Sequence, residues 1–121
     1  MYRFENLDVW QRARKLTYNI YSITRDFPRE ELHGITSQLR RASVSVCSNI
    51  AEGNGRLFEK EQKHFYSISV GSLYEILCQL IISNDLGFID DLTLQTFRSE
   101  IDIIGRQLSK LSAATEKNNK P

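Results

Sequence analysis

Residues 35–55, ITSQLRRASVSVCSNIAEGNG, are the stretch around which the chain is organised. With a helical period, Ile35, Leu39, Ala42, Val46 and Ile50 recur at spacings of four, three, four and four, one apolar stripe. Val44, Cys47 and Ala51 form a second, small-residue face. Between the two runs a polar line, Gln38, Arg41, Ser45, Asn49 and Glu52. A helix lined in this way is expected to be central and packed on more than one side. Its polar line then needs partners, because an unpaired buried polar group costs about 1–3 kcal/mol. Gly53 and Gly55 are expected to stop the helix, as glycines do beyond a C-terminus.

Working outward, Asn6 and Asp8 are candidate N-caps of a first helix, and Asp8 with Gln11 reads as a capping box. Val9, Ala13, Leu16, Ile20, Ile23 and Phe27 give that helix a heptad seam. Pro28 ends it, since the residue before proline avoids the α region. PREELHG is a connector with one short helical turn closed by Gly34. A third helix runs from near Phe58 to about Asp85, closed by Gly87. One of its stripes is Phe65, Ile68, Ser72, Ile76 and Gln79, and the neighbouring one is Tyr66, Val70, Leu73, Leu77 and Leu80. Gly71 costs about 1 kcal/mol in a helix interior, and close approach of a neighbouring helix is the expected compensation. Asp90 or Asp91 caps a fourth, solvent-facing helix with the cleanest seam: Leu94, Phe97, Ile101, Ile104, Leu108 and Leu111. The pattern defines an all-α, antiparallel up-down four-helix bundle over residues 1–115, followed by a disordered polar tail over 116–121.

The 121 residues suit one domain with a real core, and 40% apolar with 26% charged content is ordinary for a soluble protein. The net charge of +1 excludes a strong polyanion binder by composition alone. The charge is uneven, however: residues 1–63 carry 11 Lys/Arg against 8 Asp/Glu, and residues 64–121 carry 5 against 7. Cys47 and Cys78 fall in apolar helical patterns and read as buried free thiols. Two cysteines and two distant histidines make no zinc set, so no metal and no cofactor are expected. MYRFENLDVWQ lacks the apolar core of a signal peptide, and no window approaches the ~20 apolar residues of a membrane span. A cytoplasmic protein without a membrane partner is the resulting expectation.

LDVWQRARKL, FPREELHGITSQLRRASVSVCSNIAEGNGR and FYSISVGSLYEILCQL resemble the bacterial four-helix bundle family of the ribosomal intervening-sequence protein, encoded by insertions in large-subunit rRNA genes. The resemblance covers about residues 4–111 and rests on the combination of VWQ, Q-x-R-R-A, S-N-I-A-E-G and G-S-x-x-E. The accessory protein of diversity-generating retroelements is similar in fold and assembly. The resemblance implies a ring-like homopentamer with no catalytic activity and a suspected nucleic-acid ligand. Gln38, Arg41, Asn49, Glu52, Gly53, Gly71, Ser72 and Glu75 match the family's motif positions, in structural or functional roles. Cys47 stands where a small residue or proline is expected.

Glu61 and His64 form an E-x-x-H, but a di-iron bundle needs a second copy and two further glutamates. Arg40-Arg41-Ala42-Ser43 imitates a basic kinase site on a helix too packed to reach. Gly53-Asn54-Gly55-Arg56 lacks the Lys-Ser/Thr of a phosphate loop and reads as a helix end. Arg41 and Glu52 lie on one helical line, and a buried network, joining Arg41 to Glu75 or Glu52 to a neighbour, is one reading, with Arg41 facing a pore or ligand as the other.

The basic candidates for nucleic-acid contact are Arg12, Lys15, Arg40, Arg56, Lys60 and Lys63, against the plainer reading of a solvated face. A symmetric ring repeats any patch, turning a modest protomer charge into a multivalent phosphate binder. The apolar arcs of the second and third helices exceed what one core buries, and Trp10, Tyr18 and Tyr21 add aromatic surface, so a homo-oligomer is expected. Function is thus expected to be non-enzymatic: an RNA- or DNA-binding adaptor, or alternatively a structural scaffold for protein partners.

Overall fold

The computed structural model describes the backbone of residues 1–118 and the side chains through Thr115. Four helices, α1 (Asp8–Thr24), α2 (Ile35–Asn54), α3 (Glu59–Asp85) and α4 (Asp91–Asn118), make up the fold, with no strand among the described residues. Short 3-10 turns at Arg3–Asn6 and Arg29–Glu31 precede α1 and α2. Each helix packs on two others, α1 and α3 both lying against α2 and α4, so the four close around one core. That core contains Val9, Ala13, Leu16 and Ile20 of α1, Leu39, Ala42, Val46 and Ile50 of α2, Leu73, Ile76 and Leu80 of α3, and Phe97, Ile101, Ile104 and Leu108 of α4. The expected seams of α2 and α4 are therefore in place, with Ile35, Leu94 and Leu111 packed at their edges. In α1, Thr24 is buried while Ile23 packs on the edge, and Phe27 closes that end against Phe88.

α2 is gripped on both flanks through its own backbone. The Thr17 hydroxyl of α1 donates to the Ser43 carbonyl at 3.1 Å or, alternatively, the Ala13 carbonyl at 3.0 Å. The Ser69 hydroxyl of α3 donates to the Val46 carbonyl at 2.9 Å. Farther along, Arg40 meets Thr24, so partners on α2 fall in number as those on α1 rise. The same opposition relates α3 to α2, through Ser69–Val46 and Gln79–Gln38, and α4 to α1, through Gln107–Asp8 and Glu100–Arg12.

The helix ends follow local chemistry. Asp90 caps α4: Thr93 N–H donates to its Oδ1 at 2.8 Å, and hydrogen bonds from Thr93 hold the carboxyl below its ordinary range. Gly87, at φ +81°, turns the chain after α3, and Phe88 N–H returns to the Ser83 carbonyl at 2.8 Å. Gly55 is the C-cap of α2 and Gly34 its N-cap.

Several expectations are corrected. Asp8 is the first residue of α1, and Leu7 occupies the cap position without a side-chain bond. The Asp8 carboxylate has stronger partners, accepting from Gln107 at 2.7 Å and from Arg12 at 3.1 Å, while Gln11 donates to the Glu5 carbonyl. Gly53 does not stop α2; it lies buried inside the helix, against Tyr66. Gly71 has nothing within 4 Å of where a Cβ would stand, so no helix of its own chain approaches it. The buried residues of α3 are Tyr66, Ser69, Ser72, Leu73, Ile76, Leu80 and Ser83, drawn from both expected stripes with Ser69 and Ser83 added, and Ile68 is exposed. Val44 is exposed, as is Cys78, while Cys47 is half-buried beside Thr17. α3 also has an 18-residue window of mean hydropathy 1.5, apolar enough to cross a membrane, which the residue count alone did not register. The buried seam of α3 packs on α2 and α4, as a core helix of a bundle does. Of the tail expected over 116–121, the backbone of 116–118 continues α4, and 119–121 lie outside the described residues.

Candidate nucleic-acid interface

The outer side of α1 carries an excess of positive charge. Arg12, Arg14 and Lys15 follow one another on a helix whose single acidic residue is Asp8. Tyr18, 67% exposed, lies one turn further on. Together with Asn19 and with Glu100 of α4 they line a groove of about 820 Å³ between α1 and α4. Arg12 forms the floor of the charge pattern, bridging Asp8 at 3.1 Å and Glu100 at 3.3 Å. These two carboxylates hold its guanidinium charged even more firmly than usual, and Arg12 in turn helps hold Asp8 below the ordinary carboxylate range, after the Gln107 hydrogen bond. Arg14 lies over the Trp10 ring at 5.6 Å. Arg14 and Lys15 are exposed and carry no ion pair among the described residues. A cationic helix face with an open aromatic ring offers both phosphate contacts and a stacking platform.

The other expected basic residues do not join this face. Arg56 pairs with Glu52 at 2.8 Å and lies over the Phe65 ring at 4.7 Å. Lys63 pairs with Glu59 at 3.5 Å, and Lys60 stands exposed between Glu59 and Glu61. Residues 52–63 thus hold three bases against three acids, and their charge is offset locally. Arg40 lies toward the far end of α2, bonded to Thr24 and stacked on Tyr21. Arg14 is absent from the six expected contacts and Tyr18 is expected only as aromatic surface; the signal that joins them to Lys15 is the absence of acids between residues 9 and 24.

Three motif residues, Gln38, Asn49 and Ser72, form a polar seam with Ser45 and Gln79 along one side of the bundle. The Asn49 amide donates to the Ser45 carbonyl and hydroxyl at 2.9 and 3.1 Å, the Ser72 hydroxyl meets that of Ser45 at 2.9 Å, and Gln79 donates to Gln38 at 3.4 Å. The buried Arg41–Glu75 network is corrected: both side chains are exposed and no ion pair joins them, because this side of α2 and α3 faces outward. Next to the seam runs an exposed stripe of α3: Ile68, Gly71, Glu75, Cys78 and Ile82, at three-and-four spacing. Glu61 and His64 are exposed, His64 lying edge-on to Phe65, and among the described residues no group of three or more His, Cys, Asp or Glu is placed to hold a metal ion. Ser43 of the kinase-like sequence is wholly buried and donates to the Arg40 carbonyl at 2.8 Å.

The fold and its polar α2–α3 seam define a helical-bundle protein with a central, doubly flanked second helix. A sequence model of the 23S rRNA-intervening sequence protein family matches residues 5–110, and the chain belongs to that family. A comparison with curated proteins found no match.

Proposed function

We propose that this protein is a non-enzymatic, cytoplasmic RNA-binding adaptor: an antiparallel up-down bundle that assembles as a homo-oligomer and holds RNA by its backbone. The observation that carries the reading is the uncompensated run Arg14–Lys15 beside exposed Tyr18 on α1. The family's name supports an RNA connection. A helix face of this kind contacts phosphate and stacks on unpaired bases without reading sequence.

Assembly is supported by the outer stripe of α3. Gly71 loses about 1 kcal/mol of helix stability relative to alanine, and its own chain supplies no packing in return. A second copy laid along Ile68, Gly71, Cys78 and Ile82 offsets that loss by close approach. The number five comes from the resemblance to the family. In the assembly the α1 face is repeated, and repetition raises avidity without new contacts.

The deciding experiment measures binding of a single-stranded RNA to the wild type and to the Arg14→Glu, Lys15→Glu double variant at two salt concentrations. The wild type is expected to bind at low salt, with a log–log slope of about −0.7 per phosphate neutralised. The double variant should bind weakly with a shallower slope, its helicity unchanged. No wild-type binding at low salt, with an oligomer still present, gives the scaffold reading its place.

A further inference from the structure

Arg40 is fixed without a carboxylate. Its Nε donates to Thr24 Oγ1 at 2.9 Å, and its guanidinium lies 4.8 Å from the Tyr21 ring centroid. Thr24 Oγ1 donates its own proton to the Ile20 carbonyl at 2.7 Å, so toward Arg40 it can only accept. Arg12, Arg56 and Arg106 are each paired to an acid instead. Two neutral groups thus set the plane of Arg40 and engage a single N–H. Its remaining N–H groups have no hydrogen bond among the described residues.

The side chain borders a hollow of about 520 Å³ where α1, the connector and α2 meet. Arg41 and His33 line the hollow with it, and Tyr21, Leu32 and Val44 supply an apolar wall. Those three are 38%, 47% and 43% exposed, so the wall is open to a ligand. No carboxylate lines the hollow. Glu31, on the adjoining turn, directs its Oε1 to the start of α2, 3.4 Å from Ile35 N. An arginine whose orientation is already set, and whose donors are unused, loses little entropy on accepting an anion.

We propose that this corner of the fold is a nucleotide pocket: phosphate on Arg40 and Arg41, base against Tyr21, Leu32 and Val44. The site is separate from the α1–α4 groove and does not depend on it. The ligand is a phosphate carrying a planar base, either an unpaired nucleotide of an RNA strand or a free nucleotide.

Calorimetric titration of the full chain with AMP, with inorganic phosphate and with a short single-stranded RNA tests this, on wild type, Arg41→Glu and Arg40→Gln. Arg41 is exposed, so its reversal leaves the fold intact, and circular dichroism checks both variants. Losing a charge-assisted contact is expected to weaken binding by about tenfold or more. Weakening of AMP and RNA alike supports a pocket open to free nucleotide, and weakening of RNA alone supports a strand-borne one. Inorganic phosphate binding as tightly as AMP overturns the nucleotide assignment. Affinities for AMP and RNA that are unmoved in both variants, or absent in the wild type, overturn the pocket, whatever the α1 charge reversal does.

Discussion

Gly53 of α2 lies so close to the ring of Tyr66 that a Cβ on Gly53 would stand 2.8 Å from Cε1 and 3.1 Å from the Gln62 carbonyl. Tyr66 is almost wholly buried, so the ring has no room to retreat. Gly53→Ala should therefore destabilise the protein by about 1–3 kcal/mol despite alanine's better helix propensity. Denaturant titration measures it, and an unchanged or raised midpoint would show that the α2–α3 contact is loose.

Ile104 is completely buried on α4. Ile104→Asp places a charge there with no partner, a penalty larger than the marginal stability of a small domain. Loss of the cooperative helical melt by circular dichroism is expected.

The two thiols should differ in reactivity. Cys47 is half-buried beside Thr17, and burial pushes its thiol up, so it should resist a thiol reagent until the protein unfolds. Cys78 lies on the outer stripe of α3. It should react slowly at concentrations where copies assemble and quickly in Gly71→Leu, a variant expected to keep its helicity and lose assembled mass in light scattering. Equal, fast Cys78 labelling in both proteins would place the interface elsewhere.

Asp8→Asn removes a carboxyl whose pKa is lowered first by the Gln107 hydrogen bond and then by Arg12. A depressed folded pKa adds stability above the unfolded value, and that stability is lost as pH falls through the folded pKa. The variant should therefore be less stable than wild type at neutral pH, and the two should converge in strong acid. Melting temperature against pH reads this, and a gap that widens in acid would contradict the sign.

Reversal of Lys60 and Lys63 to Glu is expected to weaken RNA binding less than reversal of Arg14 and Lys15. Lys63 is already paired with Glu59, and the surrounding charge is balanced. Filter binding at a single low salt concentration ranks the two double variants. The opposite order would move the interface to the start of α3.

What was legible in the sequence was whatever a side-chain period encodes. The α4 seam from Phe97 to Leu108 was readable because each position is large and apolar, and Gly87 because only its backbone turn needs it. The α3 seam was hidden because Ser69 and Ser83 sit in it, their hydroxyls satisfied by the Val46 and Gln79 carbonyls. A serine with its hydroxyl satisfied on a carbonyl packs as a small core residue, while its letter reads polar. The roles of Gly53 and Gly71 were exchanged for a related reason: both are helical, and only the neighbour's ring, or its absence, tells close packing from open space. In the candidate interface, charge signs were readable but pairing was not. Glu52 and Glu59, one turn from Arg56 and Lys63, form salt bridges that spacing permits without requiring.

The grip of Thr17 and Ser69 on the carbonyls of Ser43 and Val46 has a consequence for how this sequence can drift. A backbone acceptor is present whatever side chain its residue carries. Position 46 can therefore wander among apolar residues of similar volume without unlatching α3. Position 69 has no such freedom, since alanine there leaves the latch without its donor and valine forces bulk into a wholly buried site. Of each latched pair, the residue that lends its carbonyl should vary more freely than the residue that lends its hydroxyl.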